Sequence, residues 1–244
     1  MRAPLIVIGM HRSGTSMMSR MLHQSCYFMG ERKTGNSEAV YFQQINRNIF
    51  TNNCVTWDKP TCEWEFQTMQ LDRIDFLRSY LGLNPASWMS VFGNWGWKDP
   101  RNTFTLPFWL NLYPKAKVLH IYRHGVDVAL SLNKRAKSMP EDHRDYSTRV
   151  QSLRQCFLLW EEYVVRAMSY NLGGQMLSLK YENIIRGDAD DIGALEAFLG
   201  CPMRRVIAQN ADPSRTGRFR KRDCEELHDV ASNSHWFNKL GYTL

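Results

Sequence analysis

The sequence contains no apolar run that approaches the roughly 18 residues of a membrane-spanning helix. Its 244 residues also show no internal repeat and no low-complexity linker, which argues against a repeat architecture or a disordered tether. A strand-like segment begins within the first few residues and leaves no room for a signal peptide. We therefore expect a cytoplasmic protein without a membrane span that folds over residues 1–244 as one domain.

Cysteine pairs at close spacing are missing as well. None of the six cysteines forms a C-x-x-C pair with another, which argues against both a zinc site and a disulfide framework. We expect free thiols, in keeping with a reducing compartment, and no metal site. The cysteines are Cys26, Cys54, Cys62, Cys156, Cys201 and Cys224.

Acidic residues are fewer than basic ones: the sequence has 24 Asp and Glu residues against 31 Lys and Arg residues, and its formal net charge is +7. Such an excess suits a polyanionic ligand, which can be a nucleic acid, an anionic membrane or a charged small molecule. The sequence has no motif that interleaves basic and aromatic residues for nucleic-acid binding. Its basic residues gather in short motifs and at 215–222, which favours a multiply charged nucleotide and no nucleic-acid partner.

The first twenty residues carry the most informative motif that is present. An apolar, β-branched run at 5–8 ends at Gly9, a loop of small and basic residues follows, and a helical pattern begins at Thr15. This order predicts a strand, a phosphate-binding loop and a helix whose N-terminal N–H groups attract an anion. Gly9 and Gly14 permit the tight turn and the close approach of a phosphate.

The loop departs from the G-x-x-x-x-G-K-[ST] motif of ATP and GTP hydrolases. Gly9 and Gly14 have the spacing of that motif, but Thr15 stands at the lysine position and Arg12 precedes the second glycine. Without the lysine, chemistry at β- and γ-phosphates loses a principal charge. The motif therefore fits a nucleotide with a single 5′-phosphate that carries another transferable group.

Strand-like and helix-like segments alternate along the chain, which predicts an α/β fold of three layers with a mostly parallel central sheet. Strands are predicted at 5–8, 96–98, 117–122 and 175–181. Helices are predicted at 15–24, 38–48, 62–81, 103–112, 125–137, 148–170 and 188–199. The C-terminal remainder is basic and irregular up to a final apolar segment at 236–242.

Four blocks of the sequence together resemble the sulfotransferases that use 3′-phosphoadenosine 5′-phosphosulfate (PAPS), in particular their small bacterial members. The blocks occur in the family's order and approximate spacing. They are HRSGTS at 11–16, WKDPR at 97–101, VLHIYRHGVDVALS at 118–131 and LKYEN at 179–183. The resemblance implies a P-loop-like fold, transfer of a sulfonate group from PAPS to a hydroxyl or amine, release of 3′-phosphoadenosine 5′-phosphate (PAP), and no metal.

The resemblance also implies a set of residues around the 5′-phosphosulfate. An arginine in this set neutralises charge but does not readily give a proton to the leaving phosphate. The residues are Arg12, which also serves the transferring group, and Ser13, Gly14, Thr15 and Ser16.

The other end of the nucleotide is assigned in the same way. Arg123 and Ser131 match the family's arginine and serine that bind the 3′-phosphate. Tyr181 matches a tyrosine that lies beside the adenine or stabilises its own turn. Arg218 and Arg220 lie in what looks like a degenerate version of the basic C-terminal loop with which cytosolic members close over the nucleotide.

Transfer requires a contact to the moving group and a base for the acceptor. Lys98 matches a family lysine for the contact. The cytosolic members have a histidine base where this chain has Pro100, so the base lies elsewhere. Glu38 is preferred, because carbohydrate and tyrosyl-protein members use a glutamate in a comparable place, but capping of a helix that begins there is an equal alternative. The other candidate bases are His11 and Asp99.

The acceptor is not encoded in the four blocks. The variable acceptor-binding region is expected at about 30–95. Of the tryptophans in the middle of the chain, some would line an acceptor pocket and most would lie in the core. These are Trp57, Trp64, Trp88, Trp95, Trp97 and Trp109. A small molecule, a carbohydrate and a lipid all stay open as acceptors, and so does the oligomeric state. The alternative functions are a small-molecule kinase that uses ATP–Mg²⁺, which Thr15 argues against, and a basic nucleotide- or nucleic-acid-binding module without enzymatic activity.

Overall fold

A computed structural model describes residues 2–61, 76–82, 93–221 and 224–244. The predicted helix at 62–81 lies for the most part outside these residues, and its described end, Phe76–Leu81, is π-helical.

The central sheet has four described strands, all parallel, in the order β2-β1-β3-β4. In its register, Leu5 pairs with Gly96 on one side and with Lys117 on the other. The carboxyl ends of β1 and β3 are therefore neighbours, at the edge where open α/β sheets bind their ligands. The strands are β1 (Leu5–Ile8), β2 (Gly96–Lys98), β3 (Lys117–Tyr122) and β4 (Met176–Lys180), which confirms all four predicted strands.

Helices cover both faces of the sheet. Leu5 and Val7 pack into a cluster with α1 (Thr15–Ser25), whereas Ile6 and Ile8 pack into a second cluster on the other face. Because side chains alternate along a strand, both sets can be buried only when the sheet is covered on both sides. The result is the predicted three-layer arrangement.

The remaining helices follow in chain order. Before β4 they are α2 (Val40–Asn52), α3 (Asn102–Leu112), α4 (Gly125–Lys137) and α5 (Leu153–Met168). After β4 they are α6 (Tyr181–Arg186), α7 (Ala189–Leu199), α8 (Arg204–Asn210), α9 (Glu225–Ser232) and α10 (His235–Lys239). Short 3₁₀ turns lie at Arg149–Gln151, Gly173–Gln175, Pro213–Arg215 and Arg218–Lys221. None of the described helices combines the length and the hydropathy needed to cross a bilayer.

Two predicted features of the chain differ from the structure. The helix expected from residue 38 begins at Val40, because Ser37 has a φ of 61° and Ala39 is extended at the N-cap. The C-terminal region, expected to be irregular, contains the short helices α8, α9 and α10.

The expectation of six free thiols is wrong for two of them. Cys26, which follows α1, and Cys201, which follows α7, form a disulfide with a Cα–Cα distance of 6.4 Å. The pair lies 175 positions apart in sequence, so no short spacing motif signals it. Cys54 and Cys156 are free, and Cys62 lies outside the described residues.

Candidate active site

The loop between β1 and α1 requires both of its glycines. Gly9 has a φ of 131°, and a Cβ there would lie 2.3 Å from the carbonyl oxygen of Ile121. Gly14 has a φ of 95°, and a Cβ there would lie 2.2 Å from the ring of Tyr181. The left-handed backbone and the close neighbours both exclude larger residues. The loop thus leads directly into α1, with free N–H groups at the start of the helix.

The hydroxyl groups of this loop are in different situations. The Ser13 side chain is fully buried, and its Oγ has no hydrogen-bond partner among the described residues. Thr15 is also buried. Ser16 donates its hydroxyl to the carbonyl oxygen of Asn36 at 2.7 Å. An unmatched buried hydroxyl costs about 1–3 kcal/mol. Ser13 lines neither of the cavities described below, whereas Thr15 and Ser16 line the larger one.

Arg12, from the first block, lies together with Arg123 and Ser131, which both come from the block at 118–131. The Nε of Arg12 donates to Ser131 Oγ at 2.9 Å, and Arg123 donates to the carbonyl oxygen of Arg12 at 3.2 Å. The Arg123 guanidinium lies 4.9 Å from the centre of the Tyr181 ring, which itself packs on Gly14. Within the described residues, the buried Nε of Arg123 has no acceptor, so it is a second unmatched donor at this site.

Asp127 is a site residue to which the sequence analysis gave no role. Its fully buried carboxylate accepts hydrogen bonds from Arg123 at 3.0 Å and from the backbone N–H groups of Gly217 and Phe219 at 2.9 and 3.0 Å. Arg123 also donates to the carbonyl oxygen of Arg215. Asp127 lies four residues after Arg123, a spacing at which opposite charges pair. This spacing is the sequence signal from which the role of Asp127 could have been predicted.

The basic C-terminal segment, residues 215–221, is therefore held beside the β1–α1 loop by Asp127. Arg218 lines the cavity at this place, as expected of a residue that clamps an anion. Arg220 does not line it and lies against the ring of Phe219, at 5.5 Å from the ring centre.

A cavity of about 620 Å³, here called the donor-side cavity, opens above the loop. Its described walls include eight Lys or Arg side chains and two carboxylates, Glu38 and Asp127. Burial and the neighbouring arginines, Arg135 first among them, lower the pKa of Arg12. Cations crowded in this way favour a ligand with several negative charges.

Glu38 and Lys98 form a buried ion pair at the floor of this cavity. Lys98 Nζ lies 3.0 Å from Glu38 Oε1, and both side chains are almost fully buried. Gln43 donates to the other carboxylate oxygen at 2.5 Å, and Thr34 donates to it at 3.3 Å. Burial lowers the pKa of Lys98 against the opposing effect of Glu38. Helix α2 has Ala39 at its N-cap and no side-chain capping bond there, and the contacts of the Glu38 carboxylate are with other side chains.

A second cavity of about 190 Å³, here called the acceptor-side cavity, adjoins the first. Trp57 is one of its walls, as expected for a member of the aromatic region. The two cavities share four lining residues, which are His11, Asn36, Glu38 and Arg135. Two ligands, one in each cavity, would therefore both lie beside Glu38.

The other two candidate bases differ in their surroundings. His11 lines both cavities, and its buried Nε2 has no partner within the described residues. Burial, followed by the charges of Arg101 and Lys98, lowers the pKa of His11 well below its usual value. Asp99 is fully buried, lines neither cavity, and binds the side chain and backbone N–H of Arg101. Burial raises the pKa of Asp99, whose contacts hold the turn after β2 together.

Comparison with known proteins identifies the family. Residues 4–205 match the model of the sulfotransferase family, so the chain belongs to it and is a sulfotransferase. This membership speaks against the kinase alternative. No group of three or more potential metal ligands occurs among the residues that the structure describes.

Solved structures show the same fold. A sulfotransferase from Alicyclobacillus acidocaldarius is 17% identical, with 98% of this chain and 92% of that chain covered and a TM-score of 0.57. The sulfotransferase domain of the curacin biosynthetic pathway is 11% identical over 100% and 99% of the two chains, with a TM-score of 0.56. Mouse sulfotransferase SULT7A1 complexed with PAP is 13% identical over 92% and 69%, with a TM-score of 0.51. Curated protein sequences contain no match to the chain.

Proposed function

We propose that this sulfotransferase uses PAPS as donor and transfers its sulfonate group to a hydroxyl or amine. The observation that carries the proposal is the junction of two cavities at the Glu38–Lys98 pair, one cavity being lined by an excess of cations. The PAP found in the mouse structure supports the choice of nucleotide. The unmatched Nε donor of Arg123, which lines the donor-side cavity, fits a ligand rich in phosphate oxygens.

The proposed nucleotide contacts form two sets, which adjoin at Arg12. The loop residues Arg12, Ser13, Gly14, Thr15 and Ser16 would hold the 5′-phosphosulfate through backbone N–H groups, hydroxyls and one charge. Arg123 and Ser131 would hold the 3′-phosphate, with Arg218 closing over it. The Tyr181 ring supports Gly14 and Arg123 from below, and its contacts favour the stabilising role.

The transfer itself is a displacement at sulfur. The acceptor oxygen or nitrogen forms a bond to sulfur while the bond from sulfur to the 5′-phosphate oxygen breaks, and PAP leaves with the bonding electrons. The acceptor's proton passes to the Glu38 carboxylate, which lines both cavities. Lys98, at 3.0 Å from Glu38, places a positive charge where negative charge develops on the leaving oxygen.

Titration calorimetry with PAP, AMP and ATP–Mg²⁺ tests the donor. We expect PAP to bind most tightly, and Arg123→Ala to weaken it by at least about tenfold, because hydrogen bonds to charged groups contribute about 1.5–3 kcal/mol. Lys137→Ala is the control, since this exposed lysine lies at the end of α4, the helix that follows Arg123, and lines neither cavity. Tighter binding of ATP–Mg²⁺ than of PAP would contradict the proposal and return the kinase to consideration.

A further inference from the structure

The acceptor-side cavity has an unusual charge arrangement. Four arginines reach its walls from three parts of the chain, namely Arg47, Arg101, Arg135 and Arg144. One carboxylate, Asp145, is shared between two of them, at 3.2 Å from Arg47 and 3.6 Å from Arg101. Arg101 also pairs with Asp99 at 3.3 Å. The Glu38 carboxylate is already matched by Lys98.

Two of these arginines have no carboxylate of their own. Within the part of the chain that the structure describes, neither Arg135 nor Arg144 has a carboxylate oxygen within 4.0 Å. Arg135 is half-buried near the end of α4 and lines both cavities, whereas Arg144 lies exposed at the rim. Burial first, and then the positive charges of Arg101, Lys98 and Arg135, lower the pKa of the adjacent His11 imidazole. The cavity is therefore electropositive in spite of its carboxylates.

Part of the remaining cavity wall is apolar, beside polar residues such as Thr34 and Asn36. Its apolar side chains are Trp57, Leu132, Ala136, Met139 and Val150. A dry cavity of about 150 Å³ holds one benzene molecule, so the described 190 Å³ suits a body of about one ring with a few substituents. Charge at one place and apolar surface at another indicate a ligand that carries both features.

We infer that the acceptor is a small hydroxylated compound that bears an anionic group, such as a hydroxy acid. Its hydroxyl would lie at Glu38, its apolar body against Trp57 and Met139, and its anionic group at Arg135, with Arg144 closing from the rim. Arg135 then acts as the residue that selects the acceptor. This inference rests on the proposed function, because it treats Glu38 as the place of transfer.

Calorimetry on the full chain saturated with PAP provides the test. The probes are 3- and 4-hydroxybenzoate, each compared with its neutral amide of the same shape. We expect at least one acid to bind about tenfold more tightly than its amide, because an arginine–carboxylate contact is charge-assisted. Arg135→Gln should abolish this difference, and Arg135→Lys should restore part of it. Lys137→Gln, which removes an equal charge from the exposed side of α4, should leave the difference intact.

Each other result overturns the inference. Equal binding of acid and amide, binding of neither, or an unchanged acid preference in Arg135→Gln would each show that the cavity does not select an anionic acceptor. The far-ultraviolet circular dichroism of Arg135→Gln is measured in parallel and reports whether the variant is folded, because Arg135 also lines the donor-side cavity. The acids are also titrated without PAP. If PAP does not bind, the proposal of PAPS as donor fails, and these titrations still test whether the acceptor-side cavity selects an anion.

Discussion

At the scale of single residues, the side chain of Glu38 is fixed in one position by its contacts. Its two oxygens are held by Lys98, Gln43 and Thr34, from three separate segments of the chain. Such contacts fix the rotamer and leave the carboxylate at the junction of the two cavities. A residue held in this way is suited to accept a proton from a ligand on the acceptor side.

We expect Glu38→Gln to leave PAP affinity nearly unchanged and to reduce kcat by about 10²–10⁴, the usual contribution of a general base. The amide keeps the shape of the side chain but does not take up the acceptor's proton. Steady-state kinetics and PAP calorimetry on the same preparation measure the two effects. Full turnover in this variant would exclude Glu38 as the base, and His11→Gln would then be the next variant to examine.

The motifs predicted several residue positions well. Arg12 and Arg123 lie close together because they follow the ends of the adjacent parallel strands β1 and β3, and Ser131 joins them from α4. The pairing of Glu38 with Lys98 was beyond the sequence, since it depends on how two distant segments pack. Arg135 was missed for a similar reason, because a lysine- and arginine-rich helix end is typical of a solvated surface.

At the scale of secondary-structure elements, α4 links catalysis to the C-terminal segment. Asp127 in its first turn holds Arg123 and the backbone of residues 217–219 at once. Strand β3 and helix α4 have the bounds predicted from their hydrophobic pattern. Helices α8, α9 and α10 were missed because each is short and most of their residues are polar, so their packing rather than their periodicity stabilises them.

We expect Asp127→Asn to release the C-terminal segment and to weaken PAP binding by about tenfold. The amide offers one acceptor instead of a charged pair of oxygens, and its NH₂ group faces donors that it does not satisfy. Hydrogen exchange of the Gly217 and Phe219 amides should become faster. Asp142→Asn removes the same charge from an exposed site and should change neither quantity. Unchanged exchange at both amides in Asp127→Asn would argue against the anchoring role.

At the scale of the whole molecule, stability depends on histidines that fold in the neutral form. His120 lies in the middle of the sheet, nearly inaccessible, with Nδ1 3.2 Å from Ser178 Oγ. Burial lowers its pKa to about 3. Below the usual value near 6.5 the unfolded chain binds a proton that the folded chain does not, so stability falls as the pH decreases from about 6.5 towards 3.

The expected size is about 1.4 kcal/mol per pH unit, or roughly 2 kcal/mol between pH 6.5 and pH 5. Urea unfolding of the native chain and of His120→Gln at pH 7 and pH 5 measures it. The native chain should lose more stability than the variant by about that amount, while His11 and His124 contribute equally to both. Equal losses in the two proteins would show that His120 does not govern the acid sensitivity.

The contact between Gly14 and Tyr181 also restricts how this enzyme can change over evolutionary time. A side chain at position 14 would be excluded for two independent reasons, the left-handed backbone and the close contact with the Tyr181 ring. Shrinking Tyr181 removes only the second constraint and takes away the surface on which Arg123 lies. No single substitution removes both constraints. Homologous chains should therefore keep glycine at position 14 wherever they keep this nucleotide pocket, even where the residue at position 181 varies.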